Sequence, residues 1–544
     1  QLTSRMHSLP PFDEALAGVR FFCSLPSFLR QPVTLEHARA TLHRRLEWRE
    51  SDFLSLIRRA VYQHAASPYR ELLRLAGCEY GDLEKLVAAD GVETALRTLL
   101  LSGVYLTVDE FKGYQQAVRG SAEVAIDPAS LRNPHAAAHV PIRSSGSRGQ
   151  GTAVPIDLAY VKTRAVNTRL ALNARGGSGW HHANWGVPGS TTMVRILEYA
   201  SFGSPPTRWF SQVDPSDSGL HPRYRWSARA MRWASLLARV PLPRPRYVSL
   251  EDPLLIARWI ANVLRAGQTP HLLAFVSSAV RLCQAASSSG IDLQGAQFAV
   301  TGEPATEARL AAIRRTGATA VPSYASAEAG AIGYGCLAPR APDDYHLYHD
   351  LVALIQAGSD GAGPNLPASA LLFSSLQPTA PFILLNVSMG DQAEVARRPC
   401  GCPLERLGWT THLQSLRSFE KLTAGGMTFF DSDVIRVLEE ELPARFGGGP
   451  TDYQLLEEEA DDGRPRLRLL VHPDVGPLDT AAIADSFLSA ISTGSGVQRI
   501  AGLLWRDASL VSVERQAPRI APSGKVLHLH VERRQTLTPA ATPT

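Results

Sequence analysis

At 544 residues the chain is longer than one hydrophobic core usually serves, so two or three domains are expected. Its composition, 44% hydrophobic and 19% charged, is globular, and 55 Lys and Arg against 51 Asp and Glu leave +4, a balance that supports neither a nucleic-acid partner nor a membrane-surface role. The sequence opens without a charged-then-apolar signal segment, stretches such as "PHLLAFVSSAV" are too short to span a bilayer, and six cysteines are too few for a disulfide scaffold, so a cytoplasmic protein is expected.

Up to about residue 135 helical windows dominate: "DFLSLIRRAVYQHA" and "GVETALRTLLLSGV" repeat apolar residues at three- and four-residue spacing, and no strand alternation stands out. Next, "AAAHVPI" runs into Arg143–Thr152, "RSSGSRGQGT". Glycines let backbone N–H groups converge on an anion while hydroxyls and arginines add donors, which suits a phosphate. A flexible connector has the same composition. The stretch matches neither the G-x-x-x-x-G-K-[ST] pattern nor G-x-G-x-x-G.

Beyond it, short apolar runs alternate with helical windows, the pattern of an α/β domain. In "AQFAVTGEPATEARLAAIRRTGATAVPSYASAEAG" a strand over Phe298–Thr301 meets a turn at Gly302-Glu303-Pro304. A helix follows, capped by Thr306 with Glu307 in its first turn and ended by Gly317, and a second strand near Ala320 runs into "SYASAEAG". Such a β-α-β crossover places polar residues after both strands, where open α/β sheets bind ligands. Further on, "DSDVIRVLEEEL" and "DTAAIADSFLSAIS" read as helices around a hairpin, "YQLLEEEADDGRPRLRLLV", whose Glu457–Glu459 and Asp461-Asp462 form a solvated end. The predicted fold class is α/β: a large N-terminal domain with a helical start (1–135) and a core of mixed sheets flanked by helices (136–417), then a small α+β domain (418–534) and a disordered tail (535–544).

A Ser/Gly loop, the strand–"TGEP"–helix–"YASAE" unit, an apolar strand ending in Gly390-Asp391 and a terminal Ser523-Gly524-Lys525 stand in that order. The ordered set resembles the adenylate-forming superfamily of acyl- and aryl-CoA synthetases, peptide-synthetase adenylation domains and luciferases, and most of all the phenylacetate-CoA ligases. The resemblance spans roughly residues 100 to 532 and includes "YLTVDEFKG". It implies a ligase that converts a carboxylic acid and Mg-ATP to an acyl-adenylate, then transfers the acyl group to coenzyme A, with a mobile C-terminal domain.

Carried over residue by residue, the resemblance assigns ATP phosphates to Ser144, Ser145, Gly146, Ser147, Arg148 and Gly149, with Arg148 standing where a threonine is usual and the usual downstream lysine missing. It gives adenine to Tyr324 and the Gly302-Glu303-Pro304 turn, Mg²⁺ to Glu328, the ribose to Asp391, and ribose or phosphate to Arg417. Ala325 and Ala327 replace the usual Gly and Thr, and Phe419-Glu420 replaces an Asp pair beside a hinge near Glu420-Lys421. Lys525 matches the lysine that supplies a cation to the adenylation step; a lone lysine is otherwise a solvated surface group.

Three thiolates and an imidazole make a tetrahedral zinc set. The resemblance implies such a structural site at Cys336, Cys400 and Cys402 with His346, leaving His349 as the other candidate; three buried cysteines without metal are the alternative. The acyl pocket is expected among Trp180, His181, His182, Asn184, Trp185, Phe275 and Ser278, a lining that suits an aryl or polar-substituted acid, although both tryptophans fit plain packing equally well. Two further readings stay open: transfer to a carrier-protein thiol or an amine, and a non-catalytic nucleotide-binding subunit.

Overall fold

The computed structural model describes residues 11–137, 139–143, 153–187, 189–214, 222–358, 366–419, 423–424, 427–428, 431–459, 465–492, 511–521 and 523–532. The chain divides into two compact units, Gln1–Leu416 and Arg417–Thr544. The expected phosphate loop at 144–149, the hinge at Glu420-Lys421, the acidic pair Asp461-Asp462 and the tail 535–544 lie outside the described residues.

The first unit opens with helices α1 (Pro11–Arg30), α2 (Leu35–Glu47), α3 (Arg49–Ile57), α4 (Tyr69–Leu75), α5 (Tyr80–Leu101) and α6 (Val108–Phe111). Several starts are set by side chains: the Thr34 hydroxyl accepts from the His37 amide at α2, and Thr107 and Glu110 cap α6 reciprocally. The helical reading of this region omits a hairpin, β1 (Ala117–Arg119) with β2 (Ala122–Val124), whose three-residue strands are too short to show alternation. Arg119 anchors it to α6 through Glu110 at 2.8 Å.

A second hairpin, β3 (Val140–Arg143) with β4 (Ala153–Ile156), precedes α7 (Leu158–Ala174). Strands and helices then alternate as β5 (His181–Gly186), α8 (Ser190–Ala200), β6 (Arg208–Ser211), α9 (Pro222–Leu237), β7 (Pro245–Tyr247), α10 (Leu254–Arg265), β8 (Pro270–Phe275), α11 (Val276–Ser288), β9 (Gln297–Thr301), α12 (Glu307–Arg314) and β10 (Thr319–Ser326). The six strands lie parallel in the order β7-β6-β5-β8-β9-β10. Parallel neighbours need crossover helices, which cover both faces and bury both sides of each strand. Trp185, Leu272 and Phe298 accordingly join α10–α12 in one core, while Leu273, Ala299 and Val321 join α7 in another.

The sheet continues from β10 through β11 (Gly330–Gly335), β12 (Tyr345–Leu347), β16 (Thr411–Ser418), β15 (Val387–Arg397), β14 (Ala370–Ser375) and β13 (Val352–Gln356), twelve strands in all. The pairs β10–β11, β11–β12, β12–β16, β14–β15 and β13–β14 are antiparallel. The β9–α12–β10 crossover forms as the sequence predicts, with the Thr306 hydroxyl accepting from the Arg309 amide and Gly317 at φ 75° turning the chain back.

The second unit contains the short pair β17 (Thr423–Ala424) and β18 (Met427–Thr428), helices α13 (Asp431–Arg436) and α14 (Leu442–Phe446), β19 (Tyr453–Glu459), β20 (Pro465–Val471), α15 (Thr480–Ser492), β21 (Val511–Arg515) and β22 (Leu529–Glu532). Its four-stranded sheet runs β21-β20-β19-β22, and Leu455, Leu469 and Val471 pack with Val437, Phe487 and Ile491 in a core of its own.

Candidate active site and metal-ligand cluster

Tyr324 and Asp391 lie 67 residues apart, yet the Tyr324 phenol donates to Asp391 Oδ2 at 2.8 Å. Both stand at irregularities in the sheet. The β10–β11 register shifts between Tyr324 and Ala325, and the β14–β15 register shifts opposite Gly390-Asp391, where Gly390 takes φ 82°. Bulges re-aim side chains that a regular ladder would send elsewhere. Burial first, then the Asp391 carboxylate, push the Tyr324 phenol well above its usual range, so it remains a donor.

The turn between β10 and β11 carries Glu328, which is buried. The Ser326 hydroxyl accepts from the Ala329 amide at 2.8 Å and shapes that turn. It closes on Gly330, at φ 80°, where a Cβ would lie 1.4 Å from the Tyr160 hydroxyl. Only glycine fits there, so Tyr160 braces the segment that presents Glu328.

After β9, Gly302 at φ 82° begins the Gly302-Glu303-Pro304 turn. The Glu303 carboxylate points inward: it accepts from the Ser277 amide at 2.6 Å and the Ser277 hydroxyl at 2.9 Å, with Arg309 at 3.6 Å. It therefore caps the start of α11, where an anion meets free amides and the helix dipole. What the turn has left to offer a ligand is its backbone.

The predicted acyl-pocket residues divide. Trp185 is core, donating to the Val248 carbonyl at 3.2 Å, and Trp180 is half-buried with Arg175 at 4.9 Å from its ring. His182 faces His271 on the adjacent β8, Nδ1 to Nδ1 at 3.0 Å. Neither Nε2 has a partner among the described residues. Burial pushes His182 down to about 3 and His271 well below its usual value, so one imidazole donates and the other accepts, both neutral. Asn184 and Ser278 are buried, Ser278 receiving the Gln212 amide at 2.9 Å, while His181 and Phe275 are half-buried.

Cys336, His346, Cys400 and Cys402 converge, with one ligand atom from each within 4.8 Å of the others. His346 lies between its neighbours: its Nδ1 is 2.6 Å from the Trp409 carbonyl and its Nε2 is 3.1 Å from Cys402 Sγ and 3.6 Å from Cys400 Sγ. A proton on Nδ1 serves the carbonyl and leaves Nε2 free as a donor atom. Trp409 is held in turn by Asp350, which also takes Asn167 and Arg45. Burial raises the Cys336 and Cys400 thiols; at Cys402 the Leu337, Glu405 and Leu404 amides outweigh burial and lower the thiol. His349 stands outside this group.

Lys525 lies in the second unit, on a tight turn where the Gly524 amide donates to the Ala521 carbonyl at 2.7 Å and the Ala521 amide donates to the Lys525 carbonyl at 2.8 Å. The buried Gln454 side chain clamps this segment, donating to the Leu527 and Arg519 carbonyls at 2.7 and 3.0 Å and accepting from the Arg519 amide at 2.6 Å. Arg417 is half-buried on β16, where the second unit begins.

Sequence reasoning passed over His271 and the brace behind the cysteines, in which buried Asp344 takes His412 Nδ1 at 2.7 Å, the Arg340 amide at 2.9 Å and Arg398. Burial opposes its ionisation, but these donors bring it down to about 2. The sequence signal for both is weak: His271 lies 89 residues from His182, and His412 lies 68 residues from Asp344.

No protein-family model matches the sequence, and no curated protein matches it. Two solved structures of 2-hydroxyisobutyryl-CoA ligase in the postadenylation state, with 2-HIB-AMP and with R3-HIB-AMP, are 13% and 12% identical. Each covers 92% of this chain and 91% of that chain at TM-score 0.50. The chain shares the fold of these 2-hydroxyisobutyryl-CoA ligase structures.

Proposed function

We propose that this protein is an AMP-forming acid–thiol ligase that activates a small carboxylic acid with Mg-ATP and passes the acyl group to coenzyme A. The observation that carries the reading is the Tyr324–Asp391 contact, which joins an aromatic face for adenine to a carboxylate acceptor for ribose hydroxyls. The Gly302–Pro304 backbone stands after the neighbouring parallel strand β9, where α/β sheets bind ligands. In this reading a substrate carboxylate oxygen attacks the α-phosphorus and pyrophosphate leaves; a thiolate then attacks the acyl carbon and AMP leaves.

Lys525 supplies the cation for the first step, and Ser144–Gly149 hold the β- and γ-phosphates, with Arg148 replacing the missing lysine. Arg417 serves the ribose or a phosphate. Glu328 is a hard oxygen donor and would hold Mg²⁺, which screens phosphate charge when bound. The converging Cys336, His346, Cys400 and Cys402 group supports the phenylacetate-CoA-ligase likeness drawn from the ordered motifs and "YLTVDEFKG". Its soft donors fit zinc, which would serve structure by offsetting the cost of burying thiolates. Trp180 and Trp185 are absorbed in packing, so an aryl or polar-substituted acid would be read by His181, His182, Asn184, Phe275 and Ser278.

The test is carboxylate-dependent exchange of pyrophosphate into ATP across a panel of acids, followed by competition among coenzyme A, a carrier protein and an amine. Exchange with at least one acid and preference for coenzyme A are expected. ATP binding without exchange for any acid would favour a non-catalytic subunit, as Ala325 and Ala327 suggest, and preference for another acceptor would refute the coenzyme A step.

A further inference from the structure

Helices α1 and α9 pack on one another, and Arg30 fastens them by donating to the Leu237 carbonyl at 2.7 Å. Their inner faces bury Phe21, Leu25, Met231 and Ala234. Their outer faces are apolar too: Val19 is 62% exposed and Phe22 39% on α1, Trp233 67% and Leu237 59% on α9. On a helix, positions 233, 236 and 237 share one face, and Leu236 is also exposed. An apolar strip of this extent on a soluble surface marks an interaction site.

Charge narrows the partner. Between Asp217 and Glu251 there is no acidic residue and no lysine, yet Arg223, Arg225, Arg229, Arg232, Arg239, Arg244 and Arg246 all fall there. This one segment carries more positive charge than the +4 of the whole chain. Arg239, Arg244 and Arg246 are exposed, and Arg246 lies on β7, the edge strand of the large sheet, beside exposed Tyr247. The overall balance read from composition conceals this run.

We propose that the outer face of α1 and α9, with the arginine-rich segment leading into β7, is a docking surface for an anionic lipid bilayer. A second copy of the same face would set arginines against arginines. Exposed Val19, Leu236 and Leu237 offer nothing to a nucleic acid. The inner side of α9 is committed to α1 and the core, so no partner can wrap it as it would a free amphipathic helix; one face remains, and a plane meets it. Apolar tips entering the acyl boundary and arginines at the headgroups are the two attractions that hold such helices on anionic membranes. The proposal is independent of the ligase reading.

The experiment is cosedimentation of the full chain with sucrose-loaded vesicles of phosphatidylcholine alone or with about 30% phosphatidylserine. Binding at least about 10-fold stronger with phosphatidylserine at about 0.1 M salt, and largely lost at about 0.5 M, is expected. The triple variant Arg239→Gln/Arg244→Gln/Arg246→Gln and the double variant Trp233→Ala/Leu237→Ala should each weaken that binding about 10-fold with unchanged thermal unfolding, since every altered side chain is exposed. No binding at low salt, or wild-type binding by both variants, overturns the proposal. Binding of a purified acidic acyl carrier protein that both variants lose, with no vesicle binding, would assign the surface to a protein instead.

Discussion

Under the proposed function, replacing Tyr324 by Phe separates two roles of that residue. The ring, packed near Tyr345 and Phe373 at 6.1 and 6.4 Å between centroids, is retained, so a stacking face for adenine survives. What disappears is the 2.8 Å hydrogen bond to Asp391. Hydrogen bonds to charged groups contribute about 1.5–3 kcal/mol. Part of that is recovered because Asp391 is half-buried and water can replace the phenol. A loss of about 1.4 kcal/mol in holding the carboxylate for ribose is tenfold in affinity. The KM for ATP in pyrophosphate exchange should therefore rise about 10-fold, while the KM for the acid stays within about twofold. Because the phenol stays protonated, the change should be flat between about pH 6 and 9. Unchanged KM for ATP, or an equal rise for acid and ATP, would refute the idea that this contact prepares a nucleotide site.

The chain as isolated should carry about one zinc, measured by elemental analysis, and Cys402→Ser should lower both metal content and unfolding temperature; metal-free protein of unchanged stability in chelator would leave the cysteines as packing. Neutral burial of His182 and His271 contributes stability that is fully present above the unfolded pKa near 6.5 and is lost as pH falls below it, down to about 3 for His182 and with His271 also held well below its usual value, by about 1.4 kcal/mol per pH unit for each group. Urea midpoints should be nearly flat between about pH 8 and 7 and approach this slope between about pH 6 and 5, and His271→Phe should roughly halve it. Gly330→Ala, which needs a left-handed backbone and drives a Cβ into Tyr160, should cost more than about 3 kcal/mol or abolish folding, as read by chemical unfolding. Lys525→Ala should lower adenylation about 10²-fold or more and leave transfer from supplied acyl-adenylate nearly intact; equal losses in both half-reactions would sink its assignment.

The parts of this molecule legible in the sequence are those whose causes are local. The β9–α12–β10 unit could be drawn before its structure because Thr306 caps, Gly317 stops and a buried strand precedes each turn. Cys400 and Cys402 announced themselves by spacing, and His346 came with them through the resemblance; the converging group puts His346 rather than His349 beside them because β12 faces β16 and the Trp409 carbonyl fixes its ring. What stayed hidden depends on pairings made across the sheet. Glu303 reads as a ligand-turn acid, but the start of α11 lies close enough to claim its carboxylate. Nothing near His182 in the sequence shows that β8 sets His271 opposite it.

The bulges at Tyr324 and Gly390 show the same division in sharper form. Apolar runs before "SYASAE" and "GD" mark strands, but register shifts decide which face each side chain meets. A one-residue slip between β10 and β11 beside Tyr324 and a two-residue slip between β14 and β15 beside Asp391 accompany the contact between the phenol and the carboxylate. Under the proposed function, the Tyr324–Asp391 bond holds the carboxylate in place until a ribose hydroxyl competes for it.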